Sequence, residues 1–524
     1  MTGTWQLLRL VLRRDRVLLP LWAVILGLLP ALYVSSFREL FPTTKDLQVY
    51  ADLSRANAGF VGLYGPLDGA SLGEIVAWRS GFLPVVVGLF SLLTVIRHTR
   101  ANEEAGRTDL LGAGVTGRHA GLAAALAATL GANALLALVI ASTLLAQGMP
   151  APGSVLLALQ YALAGAVFAG VGAVAAQAGQ TARTARFLAV GGLATAYVLR
   201  LAGDVSALGN SSLAWLSWLS PVGWLHRTFP YGQNAWWPAL LALALTAVLL
   251  AAAAVLQARR DVGAGLLAPR LGPATAAPSL RGPLGLAWRL HRGVLAGWVL
   301  GFALLGLVFG GVAQSVAALT TDNAGLARVF ERMGGASAIS DSFLASVLGL
   351  MGIFAAAFAV QAALRARDEE ETGHAELVLA TRTGRLRWLG SHVLFAGAGP
   401  AAALLAGGLT CGLMAGDAGG VLAGAAVQVP AAATLGAVAV LMIGALPRQA
   451  PAAWGVVAAC FLLMLAGAVL GLDQWVLDLS PFTHTPHLPG GEARATPLVA
   501  LSLVAVLLAT AGVAAFRRRD VPAG

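Results

Sequence analysis

About twelve stretches of roughly 17–28 residues run almost free of charge along this chain, at approximately 17–36, 79–96, 121–147, 153–178, 187–203, 236–257, 293–316, 343–364, 389–415, 419–446, 452–472 and 497–516. Each is long enough to cross about 30 Å of hydrocarbon as a helix. Lipid offers no partner for a backbone amide or carbonyl, so only helices and closed barrels span it, and stretches of this length select helices. The fold class that follows is an all-α polytopic membrane protein. Composition agrees: 58% of the 524 residues are hydrophobic and 11% charged, against about 25% charged in soluble chains. Soluble-enzyme and nucleic-acid-binding classes are excluded by the same numbers. The net charge of +10 lies in the connections between spans and concerns topology rather than a basic binding face.

The basic residues include a single lysine, Lys45. A phosphate loop of the Gly-x-x-x-x-Gly-Lys-Ser/Thr type is therefore absent, and any ATP hydrolysis must occur on another chain. Cys411 and Cys460 fall in long apolar runs, where buried thiols are expected and a disulfide framework is not. Arg13, Arg14 and Arg16 precede a full-length span with no small-residue cleavage pattern, so no removable signal peptide is expected. With a cytoplasmic N-terminus, 25 of the 34 basic residues fall in inside segments or at inner helix ends. That asymmetry predicts both termini in the cytoplasm.

The chain is written twice. Arg259-Arg260-Asp261-Val262-Gly263-Ala264-Gly265 recurs as Arg518-Arg519-Asp520-Val521-Pro522-Ala523-Gly524, offset by 259 with six of seven residues identical. Trp215 to Pro221 resembles Trp475 to Pro481 at offset 260. A third block places Arg100, Glu103, Glu104, Gly106, Leu110, Ala113, Thr116, Gly117 and Arg118 against Arg367, Glu370, Glu371, Gly373, Leu377, Ala380, Thr383, Gly384 and Arg385, all at offset 267. The offset falls from 276 at Trp22/Trp298 to 259 at the ends, so the second copy is shorter in its connections, which vary more freely than helices. Each copy begins and ends among cytoplasmic arginines and must cross an even number of times. Two parallel, pseudo-symmetric six-helix halves are predicted, related by an axis along the membrane normal. Residues 1–265 form the first half, 266–283 a Gly/Pro/Ala-rich cytoplasmic linker and 284–524 the second half.

The third block is the sharpest functional signal. It sets clusters of carboxylates on the face that the positive-inside bias otherwise makes basic. A short helix carrying them could dock on a soluble motor subunit and pass its motion to the membrane helices. The plainer alternative is a solvated loop whose Glu and Arg residues pair at helical spacing. Its recurrence at equivalent positions favours the first reading.

The pattern Glu-Glu-x-Gly-x-x-(Asp/Glu)-Leu, followed by Thr-Gly-Arg in the first half and the second, resembles the loop between the second and third helices of type-2 ABC exporter permeases. The fused twelve-helix form with Arg-Arg-Asp closing each half is similar to actinobacterial exporters of polyketide antibiotics, the tetronasin-type permeases. The resemblance covers essentially the whole chain. It implies that Glu103, Glu104, Gly106 and Asp109, and Glu370, Glu371, Gly373 and Glu376, form coupling helices against two copies of a separate ABC ATPase. ATP and Mg would then sit on that partner, with no cofactor, catalytic residue or metal on this chain. It further implies outward movement of lipophilic or amphiphilic cargo across a bacterial inner membrane. Gly114-Val115-Thr116 and Thr381-Arg382-Thr383 stand where the family often has a Thr-Pro pair.

Trp5, Leu8, Val11 and Leu12, set against Arg9, Arg13 and Arg16, have the spacing of an interfacial amphipathic helix, with Leu286, Trp288 and Leu290 against Arg289 and Arg292 as counterpart. The resemblance makes these helices connectors to the ATPase; a simple orientation anchor fits the residues equally. Pro221 and Trp224, and Pro481 and Phe482, interrupt apolar runs on the outer side. Family members have re-entrant helices there, while an interfacial aromatic belt explains the tryptophans as well. His226, His484 and His487 share these loops without metal-ligand spacing.

Within the spans no Asp, Glu or Arg is evident at mid-membrane, where a proton-coupled carrier would keep one. Asn133, Gln160, Gln361 and Gln428 could line a weakly polar path or bond helix to helix. Pro430 is expected to kink the tenth span. A permease subunit is the reading that follows. A proton-driven carrier of the major-facilitator type, which also has two parallel six-helix halves, is the alternative; a membrane-embedded enzyme would need a converging polar cluster that the spacing does not supply.

Overall fold

The computed structural model describes residues 2–56, 58–108, 114, 116–208, 212–267, 274–275, 277–280, 282–321, 335–466 and 473–520. Among them the regular structure is helical throughout, and the chain divides into two compact units, Met1–Leu271 and Gly272–Gly524. Eleven helices among the described residues are long and apolar enough to cross a membrane. The protein is a multi-pass membrane protein.

The first unit opens with α1 (Thr4–Arg14) and α2 (Leu18–Leu40), followed by three shorter helices, α3 (Thr44–Ala56), α4 (Ala58–Tyr64) and α5 (Leu72–Arg79). A reciprocal cap starts α5: the Ser71 hydroxyl accepts from the Glu74 amide while the Glu74 carboxylate accepts from the Ser71 amide. Next come α6 (Leu83–His98), α7 (Arg100–Glu104), α8 (Ala120–Ala146), α9 (Ala151–Ala178), α10 (Ala182–Leu208), α11 (Pro221–His226) and α12 (Trp237–Arg259). The centre of the unit is α9, in contact with α6, α8, α10 and α12. Its run of Gly and Ala makes this density of neighbours feasible: a Cβ on Gly172 would lie 2.9 Å from the Leu92 backbone.

The second unit comprises α13 (Pro283–Thr321), α14 (Gly335–Glu371), α15 (His374–Leu379), α16 (Arg385–Ala415), α17 (Ala418–Ala426), α18 (Val429–Ala445), α19 (Ala453–Ala466), α20 (Gln474–Leu477) and α21 (Ala495–Arg518). It holds five candidate spans among the described residues, one of them formed by α17 and α18 together, Ala418–Ala445. The stretch expected at 452–472 is described only as α19, since residues 467–472 lie outside the described residues, and this is the difference between eleven spans and about twelve.

Three local departures have physical causes. The tenth span is broken rather than kinked: α17 ends at Ala426 and α18 begins at Val429, with Pro430 in its first turn, where a missing amide costs nothing. The fifth span runs on to Leu208 and so contains both Arg200 and Asp204, each buried. The span interior is therefore not free of ionisable groups. They pair with each other at 3.7 Å, Arg200 donates to the carbonyls of Val61 and Leu63, and Asp204 accepts from Ser217 at 2.7 Å. Finally, the amphipathic segment of the first unit is a separate helix, α1, whereas Trp288, Arg289 and Arg292 lie in a helix continuous with the first span of the second unit. Asp15 interrupts the first of these; at the offset of that region its counterpart is His291, inside α13.

Candidate functional site

Each acidic segment is built from a helix that stops at a glycine. In the first unit α7 ends at Glu104, and Gly106 follows with φ of +68°. In the second, α14 ends at Glu371 and Gly373, with φ of +73°, turns the chain into α15. Nothing lies within 4 Å of a Cβ built on either glycine. The requirement for Gly at this place in the motif is thus conformational and not a matter of space.

The first glutamate of each pair faces inward. The Glu103 side chain is 8% exposed and receives Arg260 through two bonds, at 2.6 and 2.8 Å, the Gly263 amide at 2.6 Å, and Arg100 at 3.2 Å. Arg118 donates to the Arg260 carbonyl at 2.7 Å. The Glu370 side chain is 0% exposed; Arg519 Nη2 lies 2.7 Å from both of its oxygens and Arg367 3.2 Å away. Arg385 donates to the Arg519 carbonyl at 3.0 Å. The four charged participants of one unit, Arg100, Glu103, Arg118 and Arg260, are the repeat equivalents of Arg367, Glu370, Arg385 and Arg519 in the other. The helical i, i+4 pairing expected of a plain loop is also present, in Arg365–Glu369 and Arg367–Glu371.

The second glutamate of each pair is exposed. Glu104 accepts from the Ala182 amide at 2.9 Å, at the N-terminus of α10, where the helix dipole favours a carboxylate. Glu371, His374 and Glu376 are exposed, and Leu377 is 72% exposed, so α15 presents an apolar side chain among charges. Asp109, the first-unit counterpart of Glu376, lies outside the described residues. Beside Glu103 and Arg260 opens a cavity of about 520 Å³, bounded also by Leu7, Leu10, Arg118 and Gln257.

The other predicted positions distribute as follows. Trp5 is exposed, with Arg9 stacked 5.0 Å from its ring centre, and Arg13 is in the last turn of α1. Pro221 begins the short helix α11, capped by Ser220, and Trp224 donates to the Trp218 carbonyl at 2.6 Å. Pro481 begins a 3-10 turn, Pro481–His484, capped by the equivalent Ser480, with Phe482 buried. The polar residues of the spans each bond to another element: Asn133 accepts from Ser91 at 3.2 Å, Gln160 donates to the Leu225 carbonyl at 2.6 Å, Gln361 accepts from Trp298 at 2.8 Å and Gln428, in the break before α18, accepts from Thr485 at 3.3 Å. His226 is buried with Nε2 donating to the Gly81 carbonyl, whereas His484 donates to the Asp478 carbonyl. Sequence reasoning missed Arg260 and Arg519 as partners of the acidic motif, and Asp15 and His98, which meet at 2.5 Å.

Residues 280–517 match the family model described as the C-terminal domain of the multidrug efflux system permease Rv1217c. Over 529 aligned positions the chain is 43% identical to the multidrug efflux system permease protein Rv1217c of Mycobacterium tuberculosis, covering 99% of this chain and 95% of that protein. With two such matches over a helical, membrane-spanning frame, the chain belongs to the family of multidrug efflux system permeases.

Proposed function

We propose that this chain is the membrane-spanning permease subunit of an ATP-driven ABC exporter, driven by two copies of a separate ATPase subunit that carries ATP and Mg. The observation that supports this most is the duplicated acidic segment: in each unit one glutamate is fixed internally while its neighbour stays in solvent. An exposed Leu377 flanked by Glu376 and Glu371 has the composition of a docking knob, an apolar anchor within a charged rim. The arginine distribution supports a reading in which both segments and both termini face the cytoplasm of a bacterial cell, with the helices embedded in membrane lipid.

Closure of the ATPase pair pushes on the two segments, and the helices they adjoin move to release cargo outward. Lipophilic or amphiphilic drugs, including polyketide-like antibiotics, suit apolar helices in which Asn133, Gln160 and Gln428 each bond to another element. The relative's name, a multidrug efflux permease, supports the same class. Asp204, the acidic residue inside a span that a proton carrier would use, is held by Arg200, Arg227 and Ser217.

The test is co-purification of the chain with the ATPase encoded beside it, and drug efflux from cells expressing both. Charge reversal at Glu104, Glu371 and Glu376 together should abolish the complex and the efflux. An unchanged complex, or efflux that survives ATP depletion and stops on collapse of the proton gradient, overturns the proposal.

A further inference from the structure

Two motifs far apart in sequence recur in both halves, the Glu-Glu-x-Gly segment and the terminal Arg-Arg-Asp, and in each unit they meet. Glu103 binds Arg260 across 157 positions, and Glu370 binds Arg519 across 149. The same arginine is held from the other side, its carbonyl accepting from Arg118 or Arg385 of the Thr-Gly-Arg element that follows the acidic segment. Arg100 and Arg367 complete the arrangement, each 3.2 Å from the glutamate three residues on.

Repeat equivalence of all four participants carries the argument. Two copies whose offset drifted from 276 to 259 have retained one ionic junction in both, with the acid side chain fully or almost fully buried. A buried ion pair contributes little net stability relative to an apolar packing, because desolvation offsets the attraction. Two short, charge-assisted contacts do, however, fix relative position tightly. The elements so joined are informative: the segment already adjoins its flanking helices through the chain, and the ionic junction adds α12 or α21, the last helix of the unit.

We infer that Arg260 and Arg519 are positioning residues that lock each acidic segment to the last helix of its own unit, so that a push on the segment moves that helix as one body with it. This rests on the coupling role proposed above for the acidic segments. Glu103 and Glu370 belong to the lock and leave the docking contact to their exposed neighbours.

The experiment uses the full chain assembled with its ATPase in lipid vesicles. Spin labels are placed at exposed positions on either side of each junction, Ala105→Cys with Arg259→Cys and Thr381→Cys with Arg517→Cys, Cys411 and Cys460 being buried. Pulsed electron resonance should give one narrow distance in each unit, unchanged by ATP. Arg260→Gln and Arg519→Gln should broaden it and lower dye export per ATP hydrolysed by about fivefold or more, while the complex still forms. Arg260→Lys and Arg519→Lys, which keep a cation facing the glutamate, should recover most of both readings, a rescue that loss of folding would not give. A wild-type distance that changes with ATP, or single variants with normal distance and export, overturns the inference while the coupling role stands. Absence of any complex with the wild-type chain removes the coupling role and this inference with it.

Discussion

His98, at the end of α6, places Nε2 2.5 Å from the carboxylate of Asp15, which ends α1, and both side chains are buried. Arg97 approaches the other Asp15 oxygen at 3.1 Å from a more exposed position. Asp15→Asn removes the anion that accepts from the buried His98 ring and that faces the half-exposed Arg97. A loss of about 1.5–3 kcal/mol is expected on removing a buried hydrogen bond to a charged group, read as a lower unfolding midpoint in detergent. Asp52→Asn breaks an exposed pair with Arg55 and should change the midpoint by little; equal effects at both positions would contradict this account.

Gly444 of α18 faces Gly512 of α21 so closely that a Cβ on Gly444 would collide with the Gly512 carbonyl oxygen. Gly444→Ala therefore forces two backbones apart, at a cost of about 1–3 kcal/mol for overpacking. Gly390→Ala is the matched control: the residue is inside α16 with nothing within 4 Å of the added carbon. There the change should be neutral or stabilising by about 0.5–1 kcal/mol, since Ala restricts the unfolded chain more than Gly. Thermal unfolding of the two variants side by side decides it.

The spans were legible because 17–28 uncharged residues can do little else in lipid, and the repeat because identical blocks recur in order. What escaped depends on distance in space. Nothing in the local pattern of Glu103 says that its partner is Arg260, 157 residues on; only the joint recurrence of the two blocks carries that information. Arg200 lies near the end of the expected stretch 187–203, yet only the continuation of α10 to Leu208 brings Asp204 against it. Pro430 announces a disturbance, but not that the helix stops at Ala426 and restarts at Val429, nor that Gln428 between them meets Thr485 in a distant turn.

His226 gives the first unit a dependence on acid. Burial, reinforced by Arg200 and Arg227 and only partly offset by its bond to the Gly81 carbonyl, pushes its pKa from the ordinary 6.5 down to about 3. The folded state thus holds the ring neutral, while an unfolded chain protonates it below pH 6.5. Stability from this residue is complete above that pH and declines as pH falls toward 3, by about 2 kcal/mol at pH 5. His226→Gln, which retains a donor toward Gly81 and does not titrate, should show a smaller drop in unfolding midpoint between pH 7.5 and pH 5. An identical drop in variant and parent would assign the acid sensitivity to other groups.

Neighbouring glutamates of one motif should fail in different ways. Glu370 has no exposed side-chain surface and is met by Arg519 and Arg367, so Glu370→Gln leaves the Arg519 guanidinium without its anion, while Arg367 keeps Glu371. Unfolding should occur at lower temperature, with a cost of about 3 kcal/mol. Glu376 is exposed in the first turn of α15. Its replacement by Gln removes little internal energy, since surface charges contribute within about 0–1 kcal/mol, and the unfolding midpoint should hold. Affinity for the ATPase should nevertheless fall, most steeply at low salt, as for a rim charge that steers association, and Leu377→Ser should weaken it at all salt concentrations. Titration of the ATPase onto the immobilised permease at two ionic strengths separates these effects. Equal binding by parent, Glu376→Gln and Leu377→Ser would mean that α15 is not the surface on which the motor subunit acts.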